Sequence, residues 1–199
     1  MKEVRGEKII LGIDPGTTIT GYGLISVTGK TPSLITLGII DLRKKTDHFQ
    51  KIRTVFEETL ALIDRYHPDE FAIEAPFFGK NIQSMLKLGR AQGAAISAAL
   101  YRDLPVAEYA PRMIKMSLTG HGQASKEQVA TMLRTILAFH DKKLLLDATD
   151  ALGAALCHYY QSGKPGSPEG SGGSRGSKSS KSSKSWEEFV RNNSTRVKE

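Results

Sequence analysis

Four carboxylates of this 199-residue chain stand beside apolar segments, where an unpaired charge is costly. Asp14 follows Leu-Gly-Ile and Glu74 follows Phe-Ala-Ile, each at the end of a predicted strand. Asp147 and Asp150 lie between a run of three leucines and an Ala-Leu pair, and their spacing of three places them on one face of a helix. Such acids need partners, and a bound cation is one way to supply them.

These acids suggest metal-dependent hydrolysis of a phosphodiester. If the first and fourth predicted strands are neighbours, all four carboxylates converge at one edge of the sheet, where α/β proteins commonly bind ligands. Carboxylate oxygens with no accompanying Cys/His set suit Mg²⁺ or Mn²⁺. Two such ions can hold a phosphodiester, one activating water and the other stabilising the leaving oxygen. Before the ions bind, mutual repulsion would raise some of the carboxylate pKa values.

Each acid also has a plain structural interpretation. Asp14 could open a turn, since Asp-Pro-Gly is a common turn sequence. Asp147 could cap a helix, with Asp150 favouring the helix dipole. Glu74 could be an ordinary carboxylate at a strand end. These alternatives stay open for each residue singly, and it is the joint placement of all four that favours a metal site.

The elements that must position the acids follow from the spacing of apolar residues. Strands are predicted over residues 8–13, 21–28, 33–41, 70–74 and 105–109. Helices are predicted over residues 47–66, 80–102, 111–118, 125–139 and 147–161. Short turns join the first three strands, which indicates an antiparallel meander, and alternating helices and strands follow. The sequence therefore predicts one α/β domain around a mixed five-stranded sheet flanked by helices.

The composition changes after Gln161. Residues 162–185 are mostly Ser, Gly and Lys, and such a segment cannot bury enough surface to offset its backbone entropy. We therefore predict a folded domain over residues 1–161 and a disordered tail over 162–199. Trp186, Phe189 and Val190 lie at helical spacing near its end, which indicates either a short helix over 186–192 or an unstructured terminus.

The formal net charge of +7 is shared unevenly along the chain. Residues 1–161 contribute +3 and residues 162–199 contribute +4, so the predicted domain is only mildly basic. Apolar runs are too short for a membrane span, and the N-terminus does not read as a signal peptide. A single cysteine, Cys157, cannot form an internal disulfide, which favours the cytoplasm. With the adjacent His158, it is interpreted as a core or surface residue, because no second metal ligand accompanies the pair.

Four motifs in order make the chain resemble the RuvC-type Holliday-junction resolvases, a family with a ribonuclease H-like fold. The motifs are GIDPGTTITGYGLI (12–25), AIEAPFFGKNIQSMLKLGRAQGA (72–94), APRMIKMSLTGHGQASKEQV (110–129) and DATDALGAALCH (147–158). The resemblance runs along residues 8–161. It implies a Mg²⁺-dependent homodimer that nicks four-way DNA junctions at symmetric positions during recombination and repair, with two ions per active site and Mn²⁺ as a substitute.

The resemblance also implies roles for individual residues. The metal-binding and catalytic acids are Asp14, Glu74, Asp147 and Asp150, although some members have His in place of the last. Lys115 and Lys126 match basic positions near the active site and the junction backbone, where they would neutralise phosphate; Lys126 could instead be an ordinary exposed residue. Arg90 and Arg112 are further candidate phosphate contacts, and His121 is interpreted as an exposed loop residue.

An aromatic residue and a stripe of small residues complete the implied set. Phe77 aligns with an aromatic that stacks at the junction, and Phe78 beside it is interpreted as core. Gly89, Gly93 and Ser97 are spaced four apart on a long helix that the resemblance places at the dimer interface, although close packing within one protomer would produce the same stripe. The family also implies cooperation with a branch-migration motor.

Two other functions compete with this interpretation. GIDPGTT also resembles the phosphate loop of actin-like sugar kinases, but those proteins need a second nucleotide-binding half that about 160 ordered residues do not supply. The other rival is a non-cleaving relative that binds nucleic acid. The presence of all four acids argues against an inactive binder.

Overall fold

The computed structural model describes residues 7–76, 81–139 and 146–162. Its strands are β1 (Lys8–Asp14), β2 (Ile19–Thr28), β3 (Thr31–Asp41), β4 (Glu70–Glu74) and β5 (Val106–Tyr109). They form one sheet in the order β3-β2-β1-β4-β5. β2 pairs antiparallel with β1 and β3, whereas β4 pairs parallel with β1 and β5. The predicted mixed sheet, with β1 and β4 as neighbours, is therefore what the chain forms.

Helices cover both faces of this sheet. They are α1 (His48–Tyr66), α2 (Ile82–Tyr101), α3 (Pro111–Thr119), α4 (Lys126–Leu137) and α5 (Leu146–Ser162). α1 and α2 bury the face that carries Leu11, Ile13 and Leu24. α3, α4 and α5 bury the opposite face, where Ile10 and Ile25 lie. Because side chains alternate along a strand, each of the three inner strands, β2, β1 and β4, contributes to both cores.

Side-chain caps fix where several helices begin. Asp47 accepts a hydrogen bond from the backbone N–H of Gln50 and starts α1. Ser125 and Gln128 form the reciprocal capping box that the sequence predicts at the start of α4. α4 ends at Leu137, two residues before its predicted end, because Ala138 takes a left-handed conformation with φ of 49°.

α5 lies unusually close to the sheet because two glycines face it. Gly12 and Gly23 are partners in the β1–β2 ladder. A Cβ atom at Gly12 would lie 2.1 Å from the carbonyl oxygen of Ala151, and one at Gly23 would lie 2.7 Å from the Cα of Leu152. The backbone of α5 therefore occupies space that side chains of β1 and β2 would otherwise fill, which fixes the height of this helix above the strands.

α5 runs through Ser162, one residue beyond the predicted domain boundary. The rest of the predicted tail, including the candidate helix at 186–192, lies outside the described residues. Among the described residues, no helix combines the length and apolar character that crossing a lipid bilayer would take.

Candidate active site

Three of the four acids gather where β1 meets the first turn of α5. Asp14 is the last residue of β1, and Asp147 and Asp150 lie near the start of α5. One carboxylate oxygen from each of these three residues lies within 4.8 Å of the other two. A divalent cation could therefore contact all three side chains at once.

Glu74 joins the cluster from the neighbouring strand. It is the last residue of β4, whose parallel pairing with β1 places Ile73 beside Ile13, so Glu74 and Asp14 end adjacent strands. Both side chains line the same cleft as Asp150. The convergence of four acids at one sheet edge, which the sequence predicted, is thus present in the fold.

Burial and the repulsion between neighbouring acids raise the pKa values of Asp14 and Glu74. Burial raises the pKa of Asp14 to about 8, and the charges of Glu74, Asp150 and Asp147 add to this effect. Burial also raises the pKa of Glu74 to about 7, with a further contribution from Asp150. Without a cation, Asp14 is therefore mostly protonated at pH 7 and Glu74 is about half protonated, and a bound divalent ion would favour the charged form of both.

One lysine already sits within this cluster. The Lys126 ammonium lies 2.5 Å from Oδ2 of Asp150, although the two residues are far apart in the chain. Burial lowers the pKa of Lys126, but the hydrogen bond to Asp150 and the charges of the nearby acids outweigh it, so the net shift is upward. Lys126 in turn lowers the pKa values of both Asp14 and Glu74, and Lys115 lowers that of Glu74.

The acids open into a cleft of about 730 Å³ between the sheet edge, α3 and α4. Three basic residues line it together with the acids, namely Arg112, Lys115 and Lys126. Arg90 is exposed on α2 and is not part of this lining. His121 is exposed and lines a separate pocket of about 440 Å³ against α4, not the cleft that holds the acids. The cleft therefore combines acidic and basic side chains in one lining.

The small-residue stripe of α2 faces open space. Among the described residues, nothing lies within 4 Å of a Cβ atom built at Gly89 or Gly93, and Ser97 is exposed. The stripe continues in both directions through apolar side chains that are more than half exposed, which are Ile82 (73%), Leu86 (54%) and Leu100 (58%). The alternative of close packing within one protomer is wrong for the part of the chain that is described.

Two local arrangements were not foreseen from the sequence. The Thr20 side chain is buried and exchanges hydrogen bonds with both backbone groups of Gly16, which fixes the turn directly after Asp14. The His158 ring lies between the Tyr109 hydroxyl and the Glu70 carboxylate at 2.7 Å from each. His158 is therefore a core residue, as one of its two predicted interpretations had it, and it holds α5 to β4 and β5.

Phe77 and Phe78 lie outside the described residues, so their predicted stacking and core roles stay predictions.

Comparison with known proteins gives consistent matches over the folded part. The family model described as crossover junction endodeoxyribonuclease RuvC matches residues 10–158. Proteins described in the same words from Bacteroides fragilis and Cytophaga hutchinsonii are 56% and 53% identical. Each alignment covers 96% of this chain. It also covers 97% of the B. fragilis protein and 89% of the C. hutchinsonii protein.

Solved structures agree with these matches. The Thermus thermophilus RuvC structure is 33% identical, with a TM-score of 0.69 over 76% of this chain and 94% of that chain. The T. thermophilus RuvC in complex with Holliday junction substrate is 32% identical, with a TM-score of 0.72 over 77% of this chain and 94% of that chain. Together with the mixed five-stranded sheet and its flanking helices, these neighbours confirm the predicted ribonuclease H-like α/β fold.

Proposed function

The chain belongs to the family of crossover junction endodeoxyribonucleases called RuvC, and from that premise we propose that it resolves four-way DNA junctions by nicking two strands at symmetric positions during recombination and repair. The observation that carries the proposal is the carboxylate cluster, in which oxygens of Asp14, Asp147 and Asp150 lie within 4.8 Å of one another. The Holliday junction bound to a similar structure supports a branched DNA substrate.

The donor set fits a hard divalent cation. It consists of carboxylate oxygens from Asp14, Glu74, Asp147 and Asp150, and burial together with the neighbouring acids raises the pKa values of the first two, which a bound cation would reverse. We propose that these acids bind two Mg²⁺ ions, for which Mn²⁺ can substitute. When bound, the ions lower the pKa of the attacking water and stabilise the charge on the leaving oxygen.

The basic residues of the cleft would receive the DNA backbone. Arg112, Lys115 and Lys126 line the cleft together with the acids, and their charges offset the repulsion between the carboxylates and a phosphate. We assign Lys115 a further role in the reaction, because its charge already acts on Glu74 and would act equally on charge that develops at the phosphate. Lys126 holds Asp150 in place through their ion pair.

A homodimer fits both the substrate and the exposed stripe of α2. Gly89, Gly93 and Ser97 leave room for a second helix to approach closely, and exposed apolar side chains extend the same surface at both ends. A two-fold pair of protomers would present two identical active sites to a symmetric junction. We therefore propose that this stripe is the dimer interface.

Other parts of the proposal rest on the family resemblance. They are base stacking by Phe77, a phosphate contact by Arg90, cooperation with a branch-migration motor and a cytoplasmic location. We also propose that residues 162–199 form a separate basic tail that adds weak electrostatic affinity for DNA, as their net charge of +4 suggests. Junction affinity of residues 1–162 and of the full chain, measured across salt concentrations, tests this role, and equal salt slopes would contradict it.

A phosphotransferase function has no support from the matches, since the similar proteins named above are endodeoxyribonucleases along almost the whole chain. The non-cleaving alternative is decided by the assay that also tests the main proposal. In that assay, a synthetic four-way junction and a linear duplex of the same arm sequence are incubated with the full chain and Mg²⁺ or Mn²⁺. We expect paired nicks in the junction only.

Variants of the acids test the metal site in the same assay. Asp14→Asn and Glu74→Gln should each lower the nicking rate by at least about a hundredfold while junction binding is retained. Glu58→Gln is the matched control, because Glu58 is exposed on α1, away from the cleft, and should cut normally. Equal cutting of linear duplex, or no cutting with either metal, would overturn the proposed function.

A further inference from the structure

Gln123 differs in kind from the other residues that line the active-site cleft. The acids of this lining are proposed above to bind metal ions, and its three basic residues to contact phosphates. Among the described residues of the lining, Gln123 is the one neutral side chain that can both donate and accept hydrogen bonds. The remaining members offer no polar side-chain group and are Ala110, Pro111, Ile114, Gly122 and Val129. The metal chemistry proposed above makes no use of this amide.

The amide of Gln123 is accessible to a ligand. The residue is exposed, and its side chain makes no hydrogen bond to any described residue. Its two N–H donors and its carbonyl oxygen are therefore available to a molecule that enters the cleft. Because an exposed amide is hydrated in solution, such a molecule would replace water and not a protein group.

The loop that carries Gln123 is fixed on both sides of this residue. Before it, the N–H of His121 donates to the hydroxyl of Thr119 at 3.1 Å. After it, Ala124 is buried, and Ser125 begins α4 with the capping box described above. The backbone therefore places Gln123 at the cleft before DNA binds, so ordering of the loop adds little to the cost of binding.

Arg112 lies directly beside this loop. A Cβ atom at Gly122 would lie 2.8 Å from Cγ and 3.1 Å from Nε of Arg112, so the arginine side chain packs against the backbone just before Gln123. A phosphate bound by Arg112 would thus bring an adjoining nucleotide towards Gln123. The cleft, at about 730 Å³, is large enough to receive more of the DNA than one phosphate group.

An amide can do what the charged residues of the cleft do not do in the proposed function. Contacts to phosphates position DNA but carry no sequence information. A glutamine amide distinguishes bases, since its carbonyl oxygen accepts from N6 of adenine while its N–H donates to N7 of the same base. Gln123 therefore has the chemistry of a group that reads a base, in a cleft where its neighbours bind metal and phosphate.

We propose that Gln123 is a specificity-determining residue, which selects the site of nicking by hydrogen bonding to an adenine beside the scissile phosphate. This inference rests on the proposed function, because it concerns the choice of site within a junction that the chain must first bind and nick. It is carried by two observations. The amide shares one cleft with Asp14, Glu74 and Asp150, and it is free of hydrogen bonds to the described residues.

The test uses the full chain, Mg²⁺ and a library of synthetic four-way junctions in which the base pairs around the point of strand exchange are randomised. Sequencing of the cut strands gives a nicking rate for each sequence. At one position beside the nick, the wild type should cut junctions with an A·T pair roughly five- to a hundredfold faster than those with a G·C pair. In Gln123→Ala, this ratio should fall towards one.

Three further variants separate base reading from other effects. Gln123→Glu keeps the size but offers only acceptors, so it should shift the preference at the same position towards cytosine, whose N4 amino group donates. Arg112→Gln should weaken binding to all sequences and lower the slope of log K against log salt by about one, with the base preference retained. Gln50→Ala is the matched control, because Gln50 is exposed on α1 outside the cleft, and it should keep the wild-type rates and preference.

The outcomes distinguish this inference from the proposed function. If the wild type nicks junctions without a base preference beside the nick, or if Gln123→Ala keeps the wild-type preference, the inference is wrong. An equal loss of affinity for every sequence in Gln123→Ala would also overturn it, since that result identifies a phosphate contact. Thermal unfolding of each variant shows whether the fold is retained. If the wild type neither binds nor nicks any junction of the library, it is the proposed function that fails.

Discussion

Gly21 lies directly opposite Asp14 in the antiparallel β1–β2 ladder. A Cβ atom at Gly21 would be only 1.9 Å from the carbonyl oxygen of Asp147. The first turn of α5 therefore rests on the backbone of β2 at the point where β1 ends. This close approach brings the carboxylates of Asp147 and Asp150 to that of Asp14. The acidic cluster therefore depends on the absence of a side chain at Gly21.

Replacing this glycine should separate the acids. In Gly21→Ala, the added methyl group must push α5 away from the sheet, and we expect a loss of at least about 1–3 kcal/mol in the free energy of unfolding. The rise in Tm on adding Mg²⁺ should shrink as well, because the ligands no longer converge. Thr135→Ala is the control, since Thr135 is exposed on α4, outside both the cleft and the α2 stripe, and alanine favours a helix. Wild-type stability and metal response in Gly21→Ala would contradict this account.

The unfavourable placement of Asp14 should be visible as a pH-dependent stability. Its pKa is about 8 in the folded protein and near 3.8 in the unfolded chain, so between these values the native state holds a proton that the unfolded state has released. The free energy of unfolding should then fall as pH rises from about 4 to 8. In EDTA at pH 8, Asp14→Asn should be more stable than the wild type, with a Tm higher by about 5 °C.

The same comparison has two internal checks. The difference between Asp14→Asn and the wild type should shrink as the pH falls towards and below 3.8, the unfolded-state pKa, because the wild-type carboxyl then becomes protonated in both states. Addition of Mg²⁺ should stabilise the wild type more than the variant, since only the wild type keeps the full ligand set. A variant less stable than the wild type at pH 8 in EDTA would show that Asp14 is well accommodated as a carboxylate.

Loss of the Lys126 charge should move the pH dependence of nicking. Lys126 lowers the pKa values of both Asp14 and Glu74, so both should rise further in Lys126→Gln. The acidic limb of the rate profile should shift to higher pH, and more Mg²⁺ should be needed for half-maximal rate, because protons and metal compete for the same oxygens. Lys115→Gln should shift the rate profile in the same direction but by less, because the charge of Lys115 acts on Glu74. An unchanged or acid-shifted profile in Lys126→Gln would refute the mechanism.

A charge on the exposed stripe of α2 should separate the protomers without unfolding them. Gly93→Glu places a carboxylate where nothing in the described structure lies within 4 Å, so the variant should fold. Light scattering after size exclusion should give the mass of one chain, 21.8 kDa, instead of twice that value. The nicks in the two strands of a junction should become independent events. Thr135→Glu, at an exposed position of α4, is the control that should stay dimeric; a dimeric Gly93→Glu would place the interface elsewhere.

The sequence was sufficient to predict those contacts that depend on strand direction or on residues close together in the chain. Asp14 and Glu74 were predicted to meet if the first and fourth strands are neighbours, because both acids end strands and ligands commonly bind at the carboxyl ends of strands; β1 and β4 do pair. Ser125 was predicted to start α4 because its capping partner, Gln128, is only three residues away. In both cases the relevant neighbours are close in the chain or fixed by strand direction.

What the sequence did not reveal depends on register and on distant contacts. Gly12 and Gly21 support α5 only because they face the same side of a twisted ladder, and this register is not readable from two isolated strands. The ion pair between Lys126 and Asp150 joins two helices, so no spacing rule finds it. His158 looked like a core or surface residue because Glu70 and Tyr109, its partners, come from other elements.

The order in which the acids occur along the chain has a consequence for biosynthesis. Asp14 and Glu74 are made early, but Asp147 and Asp150 belong to α5, the last described helix. A nascent or truncated polypeptide that stops before α5 has the sheet edge and only half of the ligands. Nuclease activity therefore cannot be acquired before α5 is made, and it arrives together with the helix that closes one of the two cores.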